Sequence, residues 1–473
     1  MSVNAVVPVE GHRPPSDSMY SASDGRAVPK SAYAFVAFFL FYPVWWLMGL
    51  GQLGFFLLAI PLTIHLLKRR SVSAPRGFAL WLLFLVVVLA SVTTIWSRIP
   101  GLAPPGGGER LVTYGFWLAW FVTATVFLLY VGNLSQQHLP TSRIIDLLAW
   151  MFLITVAGGY AGQFFWQIDF PSILEAILPR SITGIGLVEI MIHPGLAQIQ
   201  QIIGYEAPRP KAPWTYANSW GANYGLLLPF FVLSFTRRSA PRARRLLFIP
   251  LLLIAIPPVL FSLNRGLWLG LVVVSCYVAL RLAMQRQFLA LVLLTVFGLV
   301  AGYIIVQTPL GELLLARLAN PHSNQGRSNL ANQAVSTVLN HSPVIGLGTP
   351  RAMEGNFFSV AAGATAECPK CSPPQLGTQG SMWFVLFTTG LAGAVFFFGF
   401  LARRYAAGLL LTGALGTAMT ATGVYLATVV WVYDVIGPSL IFVMIALAIL
   451  WRAERSGSQD APGHQPEGAL HEQ

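Results

Sequence analysis

The sequence predicts an all-α polytopic membrane protein of about 12 transmembrane helices, with two large extracytoplasmic loops that contain short helices. Three observations predict it. Of 473 residues, 55% are hydrophobic and only 10% charged. Soluble chains carry about 25% charged residues, so this one lacks the polar side chains to coat a water-facing surface. Twelve apolar runs reach or approach the roughly 20 residues that a helix needs to cross hydrocarbon, where each backbone amide must find a partner within its own segment. Lys and Arg gather beside alternate ends of those runs, as flanks retained in the cytoplasm do.

In chain order the runs fall at about 32–49, 52–67, 77–96, 111–132, 144–163, 219–236, 246–263, 267–284, 288–306, 379–400, 406–427 and 431–451. Gly49, Gly51 and Gly54 make the turn between the first two tight. Pro43, Pro229, Pro257 and Pro258 fall inside runs, where a kink is tolerated if neighbouring groups recover the freed carbonyls. With the N-terminus placed in the cytoplasm, 19 of the 29 basic residues fall inside and 10 outside, which puts both termini in the cytoplasm. Residues 1–31 and 456–473 are polar and rich in Ser, Pro or Gly, and read as disordered cytoplasmic ends of a membrane domain at 32–455. The first run has no small-residue cleavage site ahead of it and is expected to stay as an anchor.

Topology therefore accounts for most of the +12 net charge. The sequence has no arginine-rich arm, ribonucleoprotein motif or zinc finger, so nucleic acid is not an expected partner, whereas membrane lipids are. Neither an internal repeat nor an inverted pair of broken spans points to a carrier.

The large loops lie at about 164–217 and 307–378. Residues 171–178 and 190–203 are apolar at mixed helical spacing and read as helices lying in the interface. Residues 311–319 and 327–340 also read as helices, the second started by Ser323 or Asn324.

Basic residues outside oppose the topology rule and need their own explanation. Arg265, in Ser262-Leu-Asn-Arg-Gly, sits at a tight turn between two apolar runs. There a guanidinium can grip a phosphate in a bidentate way, or can snorkel or cap carbonyls to set helix depth. Arg327, near a loop-helix start, combines a fixed charge with a helix N-terminus, a combination that suits an anion; a solvated loop charge is the other reading. Arg209 lies between two prolines just ahead of the sixth run. Arg98 and Arg110 flank a Gly/Pro-rich turn with Glu109. His193, His322 and His341 are isolated loop histidines, and no His or carboxylate cluster supports a metal site. Cys368 and Cys371, a lone CxxC outside the membrane, read as a local disulfide, while Cys276 falls in a span. Asp434, beside Trp431 and Tyr433 at the outer end of the last run, could orient a cation or a sugar hydroxyl, or make a structural hydrogen bond.

The order of these features resembles the O-antigen ligase and polymerase superfamily of integral membrane glycosyltransferases. The matching residues are Pro208-Arg-Pro with Tyr216-Ala-Asn-Ser-Trp-Gly, then Asn264-Arg-Gly-Leu-Trp-Leu-Gly, then Gly326-Arg-Ser, His341-Ser-Pro-Val-Ile-Gly-Leu-Gly and Gly377-Thr-Gln-Gly-Ser-Met-Trp. The motifs cover roughly residues 200 to 400, and their order is more specific than any one of them. The resemblance implies transfer of a glycan from a polyprenyl-diphosphate-linked donor to a glycan, lipid or protein acceptor hydroxyl, at the outer face of a bacterial plasma (inner) membrane. It implies no cofactor and no metal, with Arg265 and Arg327, and by position Arg209, binding the diphosphate. Family members place a presumed histidine base where this chain has Gln379, which cannot take up a proton, so His322, His341 or Glu354 would have to serve as base unless the hydroxyl need only be oriented. A transporter and a non-catalytic partner in polysaccharide assembly are the competing readings.

Overall fold

The computed structural model describes residues 29–103, 107–183, 186–201, 206–308, 311–312, 315, 322–353 and 375–459. The chain is mostly helical, at 72%, and it is a membrane protein by the composition of its helices. Twelve of the described helices build the bundle: α1 (Lys30–Leu40), α2 (Tyr42–Leu47), α3 (Leu53–Leu67), α4 (Phe78–Ala90), α5 (Glu109–Asn133), α6 (Thr141–Phe164), α10 (Ala217–Thr236), α11 (Arg242–Phe261), α12 (Arg265–Met284), α13 (Phe288–Val306), α15 (Ser381–Gly408) and α16 (Gly413–Val429), packed about a thirteenth, α17 (Pro438–Gln459). Short helices α7 (Ile173–Ile177), α8 (Arg180–Thr183) and α9 (Gly186–Ile192), and the longer α14 (His322–His341), belong to the large loops. Among the described residues, α5, α6, α11, α12 and α15 are long and apolar enough to cross a membrane unaided.

Each apolar run contains helix, with shifted ends. Pro43 in the first turn of α2 separates it from α1, so the first run is two pieces. The expected runs at 406–427 and 431–451 are displaced toward the C-terminus, because α15 continues to Gly408 and a turn occupies residues 430–437; α17 runs on to Gln459, past the expected boundary at 455. Every residue from Leu440 to Leu450 is at most 1% exposed, so α17 is the post around which the bundle closes. On α13, by contrast, Leu293 and Leu299 are 61% and 70% exposed, an apolar face suited to lipid.

One helix is broken. Within α15, Gly390 has φ +65°, and residues 343–348 are laid into the gap. The Leu347 and Gly348 amides donate to the Phe387 and Thr388 carbonyls (2.8 and 2.9 Å), and the Leu391 amide donates to the Pro343 carbonyl (2.8 Å). The irregular backbone is thereby satisfied by protein, as apolar surroundings require. Two glycines permit the approach: Gly346 has φ +68°, and a Cβ on it would stand 2.4 Å from the Gly390 nitrogen.

Arginine closes helix ends elsewhere. Arg281 donates to the Leu409 and Leu411 carbonyls beyond α15 (2.8 and 2.5 Å), and Arg69 to the Asn133 carbonyl at the end of α5 (2.5 Å). At the loop-bearing end of the bundle, Arg110 donates to the Ile95 and Ala103 carbonyls (both 3.0 Å). Arg351 donates to those of Ser97 and Thr94 (2.6 and 2.7 Å). Burial holds the Arg351 guanidinium down at about 10, still charged at neutral pH.

The first large loop departs from expectation. Of the expected helix at 190–203, among the described residues only 190–192 are helical: α9 ends at Ile192, and after Pro194-Gly195 the chain enters β1 (Ala197–Gln201), paired antiparallel with β2 (Glu206–Pro210). Gln198 and Gln200 lie on one face at period two, and this places both amides where polar partners are: Gln198 accepts from the Ala217 amide (3.3 Å) and Gln200 from Arg209 (2.5 Å). In the second loop, α14 begins at His322, ahead of the expected Ser323 or Asn324 cap. The expected helix at 311–319 falls mostly outside the described residues. A short pair, β3 (Arg351–Ala352) with β4 (Gln375–Leu376), leads into α15.

Candidate functional site

The site begins at the turn before α12. Leu263 takes the left-handed conformation (φ +52°), and Asn264 occupies the position ahead of the helix without capping it. Its side chain is used elsewhere: the amide nitrogen donates to the Ala217 carbonyl (2.8 Å) and the oxygen accepts from Arg209. The Leu267 amide, in the first turn, donates instead to the Tyr433 hydroxyl (2.8 Å). Arg265 is thus the first residue of a helix whose start is fixed from both sides.

Arg209 does that fixing. It is 5% exposed, and it donates from Nε to the Ser262 carbonyl (2.8 Å) and from its terminal nitrogens to Gln200 (2.5 Å), Asn218 (3.2 Å) and Asn264. Its bonds go to protein acceptors, so it braces the turn beneath Arg265, a different task from the phosphate contact expected of it.

Arg327, in the second turn of α14, comes close enough to Arg265 for its charge to act on that guanidinium. Both are partly exposed. Beside them the 430–437 turn presents Asp434, whose Oδ1 accepts from the Gly380 amide (3.1 Å) and which is also bonded by the Gln379 amide. Burial pushes the Asp434 carboxyl above the ordinary carboxylate range, opposed by those two amides and by the charge of Arg327. The start of α15 grips the same turn: the Ser381 and Met382 amides donate to the Tyr433 and Val430 carbonyls (2.9 and 3.0 Å). Tyr216, 45% exposed, lies within reach of the Asp434 charge. Trp383 and Trp431 stand edge to face beside it, with centroids 5.8 Å apart.

The remaining expected residues distribute unevenly. Gln379 is at the site, in a left-handed conformation (φ +67°), and its backbone contributes to holding Asp434. His341 is not: it lies 14 residues beyond Arg327 on α14, about 21 Å along the helix axis, exposed, with Nδ1 on the Thr337 carbonyl (3.0 Å). His322 opens the same helix, five residues before Arg327. Glu354, Cys368 and Cys371 lie outside the described residues, and Cys276 is an exposed free thiol. Among the described residues no group of His, Cys, Asp or Glu is arranged to hold a metal ion. Sequence reasoning missed Tyr216 as a neighbour of the site and noted Asp434 without linking it to Arg327. The available signal was the rarity of acids, 17 in 473 residues, one of them in a turn flanked by aromatic residues.

Two partly exposed guanidiniums, one half-buried carboxylate and exposed aromatic rings form a polar cluster at the loop-bearing end of an apolar bundle. Such a cluster can hold a polyanion and take a proton from a neighbouring hydroxyl. No family model matches the sequence, and no curated protein matches it.

Proposed function

We propose that the chain is a membrane glycosyltransferase of the O-antigen ligase and polymerase kind, with all twelve apolar runs spanning a bacterial inner membrane and both termini in the cytoplasm. On this reading the site faces the extracytoplasmic side, and a polyprenyl-diphosphate-linked glycan enters with its lipid between the helices. The observation that carries the reading is that Arg327 lies within electrostatic reach of both Arg265 and the carboxyl of Asp434, from segments far apart in sequence.

The chemistry follows from charge. The acceptor oxygen attacks the anomeric carbon as the bond from that carbon to the diphosphate breaks, and the electron pair leaves with the diphosphate. Fixed guanidiniums lower the energy of that developing charge because they need no reorganisation when it appears. The acceptor proton passes to Asp434, whose raised proton affinity suits it to the task better than an ordinary aspartate. Gln379 orients its neighbours and takes no proton. Arg209 acts through Asn264 as a positioning residue.

The test is binding of undecaprenyl diphosphate to purified protein in nanodiscs, alongside transfer from a glycan-charged donor. Arg265→Ala and Arg327→Ala are each expected to weaken binding by about tenfold or more, the worth of one charge-assisted hydrogen bond, in protein that still folds. Wild-type binding in both variants would remove the diphosphate clamp and with it this reading.

A further inference from the structure

A second titratable cluster lies in the first large loop, apart from the arginine site. His193, just past α9, has both ring nitrogens on carboxylates: Nε2 is 2.7 Å from Asp169 Oδ1 and Nδ1 is 2.9 Å from Glu175 Oε2. A neutral imidazole carries one donor and one acceptor, whereas the imidazolium donates twice, so this geometry belongs to the charged ring. Glu175 is three-quarters buried and also serves the capping box that starts α7, its amide donating to Ser172 Oγ (3.0 Å). The Leu174 amide donates to the Met48 carbonyl (3.1 Å), which seats α7 on the α2–α3 turn. The charged groups facing His193 are thus Asp169 before α7 and Glu175 within it; Lys211, after β2, reaches Asp169 in turn.

This cluster connects to the brace under Arg265. Past His193, Gly195 bridges Asp169, and the chain enters β1, where Gln200 accepts from Arg209. Arg209 then holds Ser262 and Asn264.

We propose that His193 is a positioning residue, an imidazolium latch that fastens the first large loop in the arrangement that braces the Arg265 turn and that lets go as the surrounding pH rises. The sign follows from linkage. Burial lowers the proton affinity of the ring, but the hydrogen bonds and charges of Glu175 and Asp169 outweigh it, and the net shift is upward. The latch is therefore fully engaged below the ordinary histidine range and is lost as pH rises through the higher folded value. Once the ring is neutral, one carboxylate faces a lone pair, and Glu175, the more buried of the two, is the costlier one to leave unpaired. The effect on Arg265 matters for catalysis only if the proposed transfer reaction is right; the latch itself does not depend on it.

The experiment is hydrogen exchange on the full chain in nanodiscs from about pH 5 to about pH 9, corrected for the intrinsic rate, following peptides over 169–178, 186–194 and 260–268. Protection in all three is expected to fall together by roughly tenfold on the alkaline side, the worth of one charge-assisted bond. Asp169→Asn should move the fall to lower pH, and His193→Gln should abolish the pH dependence. A flat wild-type profile, or an Asp169→Asn profile identical to it, would overturn the latch. A fall confined to the first two peptides would overturn the positioning of the Arg265 turn. Undecaprenyl diphosphate binding measured on the same samples separates the two readings: a pH-dependent latch without binding supports the latch and removes the arginine clamp, and binding with flat exchange does the reverse.

Discussion

Replacing Arg209 separates a brace from a ligand contact. The side chain is 5% exposed and supplies donors to Ser262, Gln200, Asn218 and Asn264. Arg209→Ala removes all of them and leaves the Ser262 carbonyl and the Asn264 oxygen without this donor in a buried setting. At about 1–3 kcal/mol for each buried acceptor deprived of a charged donor, and with the two neighbours not additive, the expected cost is about 3–5 kcal/mol. For a chain of this size that corresponds to a drop of about 5 °C in melting temperature, measurable by fluorescence-detected aggregation in detergent. Arg209→Lys should recover little, because one ammonium cannot reach acceptors that Nε and both terminal nitrogens address separately. Undecaprenyl diphosphate binding should weaken as well, since Asn264 no longer fixes the start of α12. Arg265→Ala should lose binding with a smaller drop in melting temperature than Arg209→Ala. If Arg209→Ala melts with the wild type, or if lysine restores it fully, the brace is wrong.

The other predictions concern the carboxylate, the helix break and the paired arginines. Asp434→Asn should abolish transfer yet melt no earlier than wild type: burial raises the folded pKa above the unfolded value, so ionisation at neutral pH costs stability that the neutral amide does not incur. The same sign makes wild-type transfer fall as pH drops through that raised value, a dependence to be read from initial rates. Gly346→Ala combines a left-handed backbone with a Cβ 2.4 Å from the Gly390 nitrogen, and should cost about 3 kcal/mol or more; Gly413→Ala, also at positive φ but with nothing within 4 Å, should cost about 1 kcal/mol, and comparable melting of the two would refute the close approach. Arg265→Ala combined with Arg327→Ala should weaken diphosphate binding less than the product of the single effects if both grip one anion, whereas strict additivity in titrations of the four proteins would place them on separate ligands.

The helices were legible in the sequence because lipid as solvent imposes one rule, that backbone groups pair within the segment and side chains be apolar, and this rule acts residue by residue. What surrounds each helix was not legible. Leu440–Leu450 in α17 and Leu293 or Leu299 in α13 are equally apolar, yet the first are sealed in protein and the second are exposed, since hydrophobicity does not distinguish a protein core from a bilayer. The pairing of Ala197–Gln201 with Glu206–Pro210 was not legible because the apolar residues of 190–203 fall at mixed helical spacing, and the partners of Gln198 and Gln200, on Ala217 and Arg209, lie outside that stretch. The same limit hid the His193 latch, assembled from residues that are isolated in sequence, and the approach of Asp434 to Arg327.

Arginine shows best how far residue type alone carries. Arg69, Arg110, Arg281 and Arg351 all point at carbonyl groups where a helix or turn ends, and there a cation is attracted by the negative end of the dipole and by oxygens that have no amide to accept from. Arg265 and Arg327 are placed otherwise. Arg265 opens α12, where amides are in surplus and a cation is opposed by the dipole, and Arg327 lies one turn into α14, past the unpartnered amides. Each also lies within reach of the other's charge, and the nearby carboxyl, Asp434, is one that burial inclines toward neutrality. Two like charges within reach of one another are an unfavourable placement. Its electrostatics improve when a multiply charged anion lies between the two guanidiniums, which is why these two positions, and not the other arginines, are the ones to substitute first.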